Sequence, residues 1–167
     1  MVNLGKSTIG GTSGRVLGHR WVSGGYFRPE EKGLKALLDL PHSDMARVPT
    51  ASIYGLLSFF RPYIHDFAVR TEPLRKLLSA THGPWEEKHT ELVKEVVQLV
   101  LEGLPIMNHN PQDTVRLQAS TGMGGFAGVL LQYDAAGKRW LPIASHSRTW
   151  GDEELQQSKL ELQIKAI

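Results

Sequence analysis

The stretch from Val115 to Gln132, VRLQASTGMGGFAGVLLQ, constrains this chain more than any other. A β-run enters a glycine turn and a second one, Val129-Leu130-Leu131, leaves it, the pattern of a β-hairpin. An Asp-Ala-Ala-Gly turn, a further β-run at 139 to 145 and an acidic helix start at Asp152 follow it. With 167 residues the chain can bury one good core or two small ones. Its 41% hydrophobic and 22% charged residues are those of a globular protein, too apolar for a disordered one.

The first half has a different character. Residues 1–15 are rich in Gly, Ser and Thr and show little periodicity. Arg15 to Tyr26 alternates apolar and polar residues around Gly-His and Gly-Gly breaks, which predicts a β-hairpin. Arg28-Pro29-Glu30-Glu31 opens a predicted helix through Leu38, and Pro41 and Pro49 bracket the loop after it. Ile53, Leu56, Leu57, Phe60, Ile64 and Phe67 recur at helical spacing, with Pro62 dividing the stretch in two. A short helix through Leu78 follows Thr71 and Pro73. Trp85 to Leu101 predicts an amphipathic helix with Leu92, Val96, Val97 and Val100 on one side, ended by Gly103 and Pro105. A helical first half and a β-rich second half imply two units divided near residue 81.

Composition limits the chemistry. A net charge of +2 and a pI near 8.9 permit contact with a polyanion without demonstrating one. The absence of cysteine excludes disulfides, zinc-thiolate sites and a cysteine nucleophile, and fits a reducing compartment. No apolar run approaches the length of a membrane span, so a soluble intracellular protein without membrane contact is expected, in the cytoplasm. Gly5-Lys6-Ser7 lacks the earlier glycine of a phosphate-binding loop, and Gly122, Gly124 and Ala127 lead into β-branched residues instead of a nucleotide-binding helix. The seven histidines have no zinc-like spacing. Asp113, Asp134, Asp152 and Glu153-Glu154 fall in turns or at a helix start, where acids serve structure. Arg61, Arg70, Arg75 and Lys76 lie on or beside the first-half helices as candidate phosphate contacts, against the blander reading of a solvated helical face.

Several segments, taken in order, resemble the junction of polymerase and RNase H in gypsy-like retrotransposons and retroviruses. Val16-Leu17-Gly18-His19 with Val22-Ser23-Gly24-Gly25 is similar to the hairpin closing the reverse transcriptase palm. Arg28 to Lys32, Leu40-Pro41, Gly55, Phe59-Phe60-Arg61, Ile64, Phe67-Ala68, Pro73-Leu74 and Leu77-Leu78 resemble the thumb. Trp85, Leu104-Pro105 and Pro111 resemble the linker into an RNase H-like domain. Ala144-Ser145 and Ser147-Arg148-Thr149 resemble that domain's third strand and the loop before its first helix. The implied fold is mixed α+β and α/β. Residues 1–27 would end the palm, 28–81 form a helical thumb, and 82–167 supply a linker helix and the first part of an RNase H-like fold, a three-stranded antiparallel sheet plus one helix.

The resemblance further implies that the thumb grips primer and template and that the nuclease unit binds magnesium through carboxylates. Here the family's first aspartate falls on Ser120, or on Gln118 if the glycine turn carries an insertion, and its helical glutamate falls on Gln163. Glu161 is two residues away, about 200° round a helix. An amide or hydroxyl cannot replace the charge that offsets magnesium's dehydration. No catalytic residue and no cofactor is therefore expected in this chain, magnesium belonging to the parent family. The leading expectation is a Pol polyprotein fragment that holds RNA/DNA template and primer beside the rest of Pol. The alternatives are a domesticated protein-interaction scaffold and a nuclease with altered ligands such as Glu161 with Asp134.

Overall fold

The structure, a computed structural model, describes residues 10–79 and 83–165. Gly5-Lys6-Ser7, His82 and the expected unit boundary near 81 lie outside the described residues. Strands β1 (Ser13–Val16), β2 (His19–Val22) and β3 (Tyr26–Pro29) form an antiparallel meander, so the Arg15 to Tyr26 alternation makes two hairpins in place of one. The first turns through Leu17 and Gly18, both at positive φ (47° and 75°), as a two-residue primed turn requires. A fourth strand, β4 (Ile106–Met107), pairs with Tyr26 and Phe27 from some 80 residues downstream. Pro29 ends β3 and does not enter the helix: α1 runs Glu31–Asp39 with Glu30 at its N-cap.

The helices follow as α2 (His42–Met45), α3 (Thr50–Phe59), α4 (Phe67–Arg70), α5 (Glu72–Lys76) and α6 (Glu87–Glu102). Pro62 does divide the Ala51 to Phe67 stretch, inside a 3-10 turn at Arg61–Tyr63. One core holds Leu34, Met45, Ile53, Leu57, Phe60, Ile64, Phe67 and Leu74 together with Val93, Val96, Val97 and Val100 of α6. The buried stripe of α6 thus centres on Val93, and Leu92 lies at its margin. Although α6 follows the segment expected to part the two units, it packs with the helices before it.

The second sheet, in the order β5-β6-β7, comprises β5 (Val115–Gly122), β6 (Gly125–Asp134) and β7 (Arg139–Thr149), all antiparallel. Its strands outrun the expected β-runs: Ser147 to Thr149 belong to β7 and not to a loop. The helix expected from Asp152 begins later, as a 3-10 turn at Glu154–Gln156 and then α7 (Lys159–Lys165). The reason is local. Ser158 and Glu161 form a capping box, in which the Ser158 N–H and hydroxyl donate to Glu161 Oε2 at 2.8 Å each and the Glu161 N–H reaches Ser158 Oγ at 3.4 Å.

Three contacts sew the sheet to the helices. The Ala68 N–H donates to Ser147 Oγ (2.8 Å), and Ser145 Oγ donates to the Pro62 carbonyl (3.1 Å). Gly125 lets the strand approach α4: a Cβ there would overlap the Arg148 carbonyl and come within 2.7 Å of Val69 Cγ2. Among the described residues no helix is long and apolar enough to cross a membrane.

Candidate nucleic-acid interface

Strand register decides which way each candidate side chain points. Gln118 pairs with Val129 and Ser120 with Ala127, so both stand on the sheet face that also carries Leu131, Pro142, Ser145 and Ser147. This face looks at the helical unit, because Ser145 and Ser147 make the contacts just described. Between them lies a cleft of about 330 Å³ lined by Gln118, Ser120, Val129, Leu131 and Pro142 on one wall and Pro62, Tyr63, His65 and Leu104 on the other. Of the opposite wall, Pro62 and Leu104 stand in segments the sequence marks as a break and a linker, whereas Tyr63 and His65 have no local pattern. Pro62 turns the chain so that Tyr63 and His65 leave the helical period. Burial pushes the Tyr63 hydroxyl up to about 12, and it shares a hydrogen bond with His19 Nδ1 (3.1 Å).

The resemblance would have this place bind magnesium, and the residues do not fit. The two walls offer an amide, hydroxyls, an imidazole and apolar groups, with no anionic oxygen among these lining residues. Gln163 is solvent-exposed on α7. Glu161 spends its carboxylate on the Ser158 cap, whose side-chain and backbone donors lower its pKa. Asp134 is buried at the far end of β6, seven residues and about 23 Å along the strand from Ala127. Burial alone would raise its pKa. The Gly137 N–H, the Tyr26 hydroxyl and the Ala136 N–H outweigh this and hold it below the usual value. It ties the 134–139 turn to β3 and is occupied there.

The cationic candidates are dispersed. Arg70 is clamped between Asp66 (2.8 Å) and Glu95 (2.6 Å), and both partners raise its pKa. Arg75 and Lys76 share Glu72 at 2.6 and 3.8 Å. Arg61 lies over the Phe67 ring at 5.0 Å, and its side chain is exposed beside the cleft wall.

A further functional role missed in the sequence belongs to Gln132. Fully buried in β6, it holds the entry to the sheet with all its amide capacity: Nε2 donates to the Asn110 carbonyl (3.0 Å) and Asp113 Oδ2 (2.9 Å), and Oε1 accepts from the Asn110 N–H (3.1 Å) with His109 Nδ1 also at 3.1 Å. This role rests on long-range contacts that have no local pattern.

A three-stranded antiparallel sheet entered from a helical unit and left by a helix is the opening of an RNase H-like fold. Residues 85–167 match the model of the RNase H-like domain found in reverse transcriptase. The fold likeness extends beyond this segment. The foamy viral protease-reverse transcriptase solved in complex with RNA/DNA hybrid superposes with a TM-score of 0.74 at 21% identity, covering 98% of this chain and 22% of that one. The same viral protein in complex with double-stranded DNA gives 0.71 at 20% identity, covering 95% and 33%. A form labelled dRH, also with double-stranded DNA, gives 0.72 at 18%, covering 92% and 27%. The chain is thus similar, over nearly all its length, to the reverse transcriptase/RNase H-like region of a retroviral Pol, and it spans a third or less of those proteins.

Proposed function

We propose that this chain is a piece of a retroelement Pol polyprotein that positions a template-primer duplex and does not itself cut it. In this reading residues 1–27 end a palm, 28–81 form the thumb, and 82–167 are a linker helix and a retired nuclease unit, with α6 packed into the thumb's core. The observation that carries the reading is the cleft itself. The face where the family would place its metal carries Gln118 and Ser120, while the surrounding sheet, turn and helix keep their geometry. Structural relatives solved with RNA/DNA hybrid and double-stranded DNA support a duplex as the ligand. Contacts would go to phosphate and groove with the bases unread.

The test uses a labelled RNA/DNA hybrid and the whole chain. Expected are weak binding that falls steeply with salt and intact RNA after incubation with magnesium or manganese. Salt-insensitive binding, or none at low salt, overturns the positioning role. Cleavage that disappears in Glu161→Gln overturns the inactive reading in favour of a nuclease with altered ligands.

A second reading, a domesticated interaction scaffold, draws on the other face of the same sheet. Leu117 is 64% exposed there, beside Phe126, Leu130 and Ala144, and Leu160 and Ile164 of α7 are 66% and 65% exposed. A defined oligomer by light scattering without nucleic acid would favour it.

A further inference from the structure

Strand register in the first sheet sets three arginines side by side. Arg15 lies opposite Arg20, and Arg20 opposite Arg28, so all three project from one face across β1, β2 and β3. Like charges directly opposite on a sheet repel, and a fold gains nothing from such a row by itself. All three are exposed, and with Lys32 of α1 they line a shallow cleft of about 500 Å³.

Their partners distinguish them from the other arginines. Arg47, Arg70, Arg75, Arg139 and Arg148 each have a carboxylate within 4.0 Å, and Arg61 and Arg116 lie over aromatic rings. Arg15 has Glu30 at 3.0 Å. Among the described arginines, Arg20 and Arg28 alone have neither. The nearby Glu31 feels both charges, but its carboxylate is held by Lys35 at 2.6 Å. Two adjacent guanidinium forks thus have no carboxylate or ring partner among the described residues.

We propose that the Arg15-Arg20-Arg28 row, extended by Lys32, binds consecutive phosphates of a nucleic-acid backbone. The proposal rests on the duplex-positioning reading and moves its main electrostatic contact from the helices to the first sheet. Neighbouring strands are about 4.8 Å apart, so the row presents charge over about 10 Å. Guanidinium forks pair bidentately with phosphate oxygens, which supplies the anions the row lacks.

The test measures fluorescence anisotropy of a labelled RNA/DNA hybrid with the full chain at 50 to 200 mM salt. In Arg20→Gln/Arg28→Gln the slope of log association constant against log salt should become shallower by about 2, at roughly 0.9 per lost phosphate contact. Arg47→Gln, which removes an exposed arginine elsewhere, should change it by less than half as much. The double variant should melt no lower than the wild type, because a repulsive pair has gone. If it melts lower, Arg20→Lys/Arg28→Lys decides: the charges remain, so the slope must stay while affinity falls with loss of the forks. An unchanged slope in the glutamine variant with the hybrid still bound overturns this inference and leaves the positioning role standing. Polyglutamate bound as tightly as the hybrid overturns the phosphate assignment. No binding by the wild type at low salt overturns both.

Discussion

Buried polar residues set the sharpest energetic demands here, because each donor or acceptor withdrawn from water needs a partner. Gln132→Leu keeps much of the volume and abandons the Asn110 backbone and Asp113; we expect a loss of about 2 to 4 kcal/mol in urea unfolding. His89 makes a second demand. Its Nδ1 accepts the Glu86 N–H at the start of α6 (2.9 Å), which only the unprotonated ring can do. Burial, reinforced by Lys88, lowers its pKa below 6.5. Burial lowers that of His19 too, where the ring stacks on Phe59 at 4.7 Å. For a depressed histidine the unfolded chain binds more protons, so the stabilisation is complete above pH 6.5 and is lost as pH falls below it. Melting temperature should therefore drop between pH 7 and 5, and His89→Gln should flatten that dependence. A profile level over this range would refute the assignment.

At the scale of elements, turns and close approaches carry the information. Leu17 occupies the first left-handed position of the β1–β2 turn with 85% of its surface exposed, strain that Asn tolerates better. Leu17→Asn should stabilise by roughly 0.5 to 1 kcal/mol, read as a higher melting temperature. An unchanged or lower value would mean that the leucine is held by a contact of its own. Gly125→Ala should do the reverse and cost roughly 2 to 3 kcal/mol, since its Cβ meets backbone that cannot yield. The legibility of the fold follows from the range of the interactions that specify it. The helical stripe from Ile53 to Phe67 and the hairpin about the glycine turn are local periodicities, and both form, although Leu56, expected on the buried face, is 39% exposed and both strands extend past the expected runs. The role of Glu161 is equally local, a Ser-x-x-Glu cap. β4, Gln132 and the Tyr63 wall of the cleft depend on partners dozens of residues away. The arginine row is intermediate: its residues are plain in the sequence, but only register shows that they are neighbours.

For the whole molecule, the question is whether the helical unit and the second sheet unfold separately. Their contacts argue against it. β4 leaves α6, pairs with β3 and leads into the second sheet, while Tyr26 on β3 donates its hydroxyl to Asp134 on β6. Ser145, Ser147 and Gly125 fasten the other side of the same sheet to α4 and the Pro62 turn. A sheet of three strands with an edge as exposed as β5 has little independent stability. Differential scanning calorimetry should therefore show one transition, with calorimetric and van't Hoff enthalpies equal. Tyr26→Phe combined with Ser147→Ala removes one bond from each side of the join. It should split or broaden that transition, with the second sheet melting first, since its exposed edge depends most on the contacts removed. Two transitions in the wild type would mean that the units merely touch, and the cleft between them would then have no fixed geometry with which to hold a duplex.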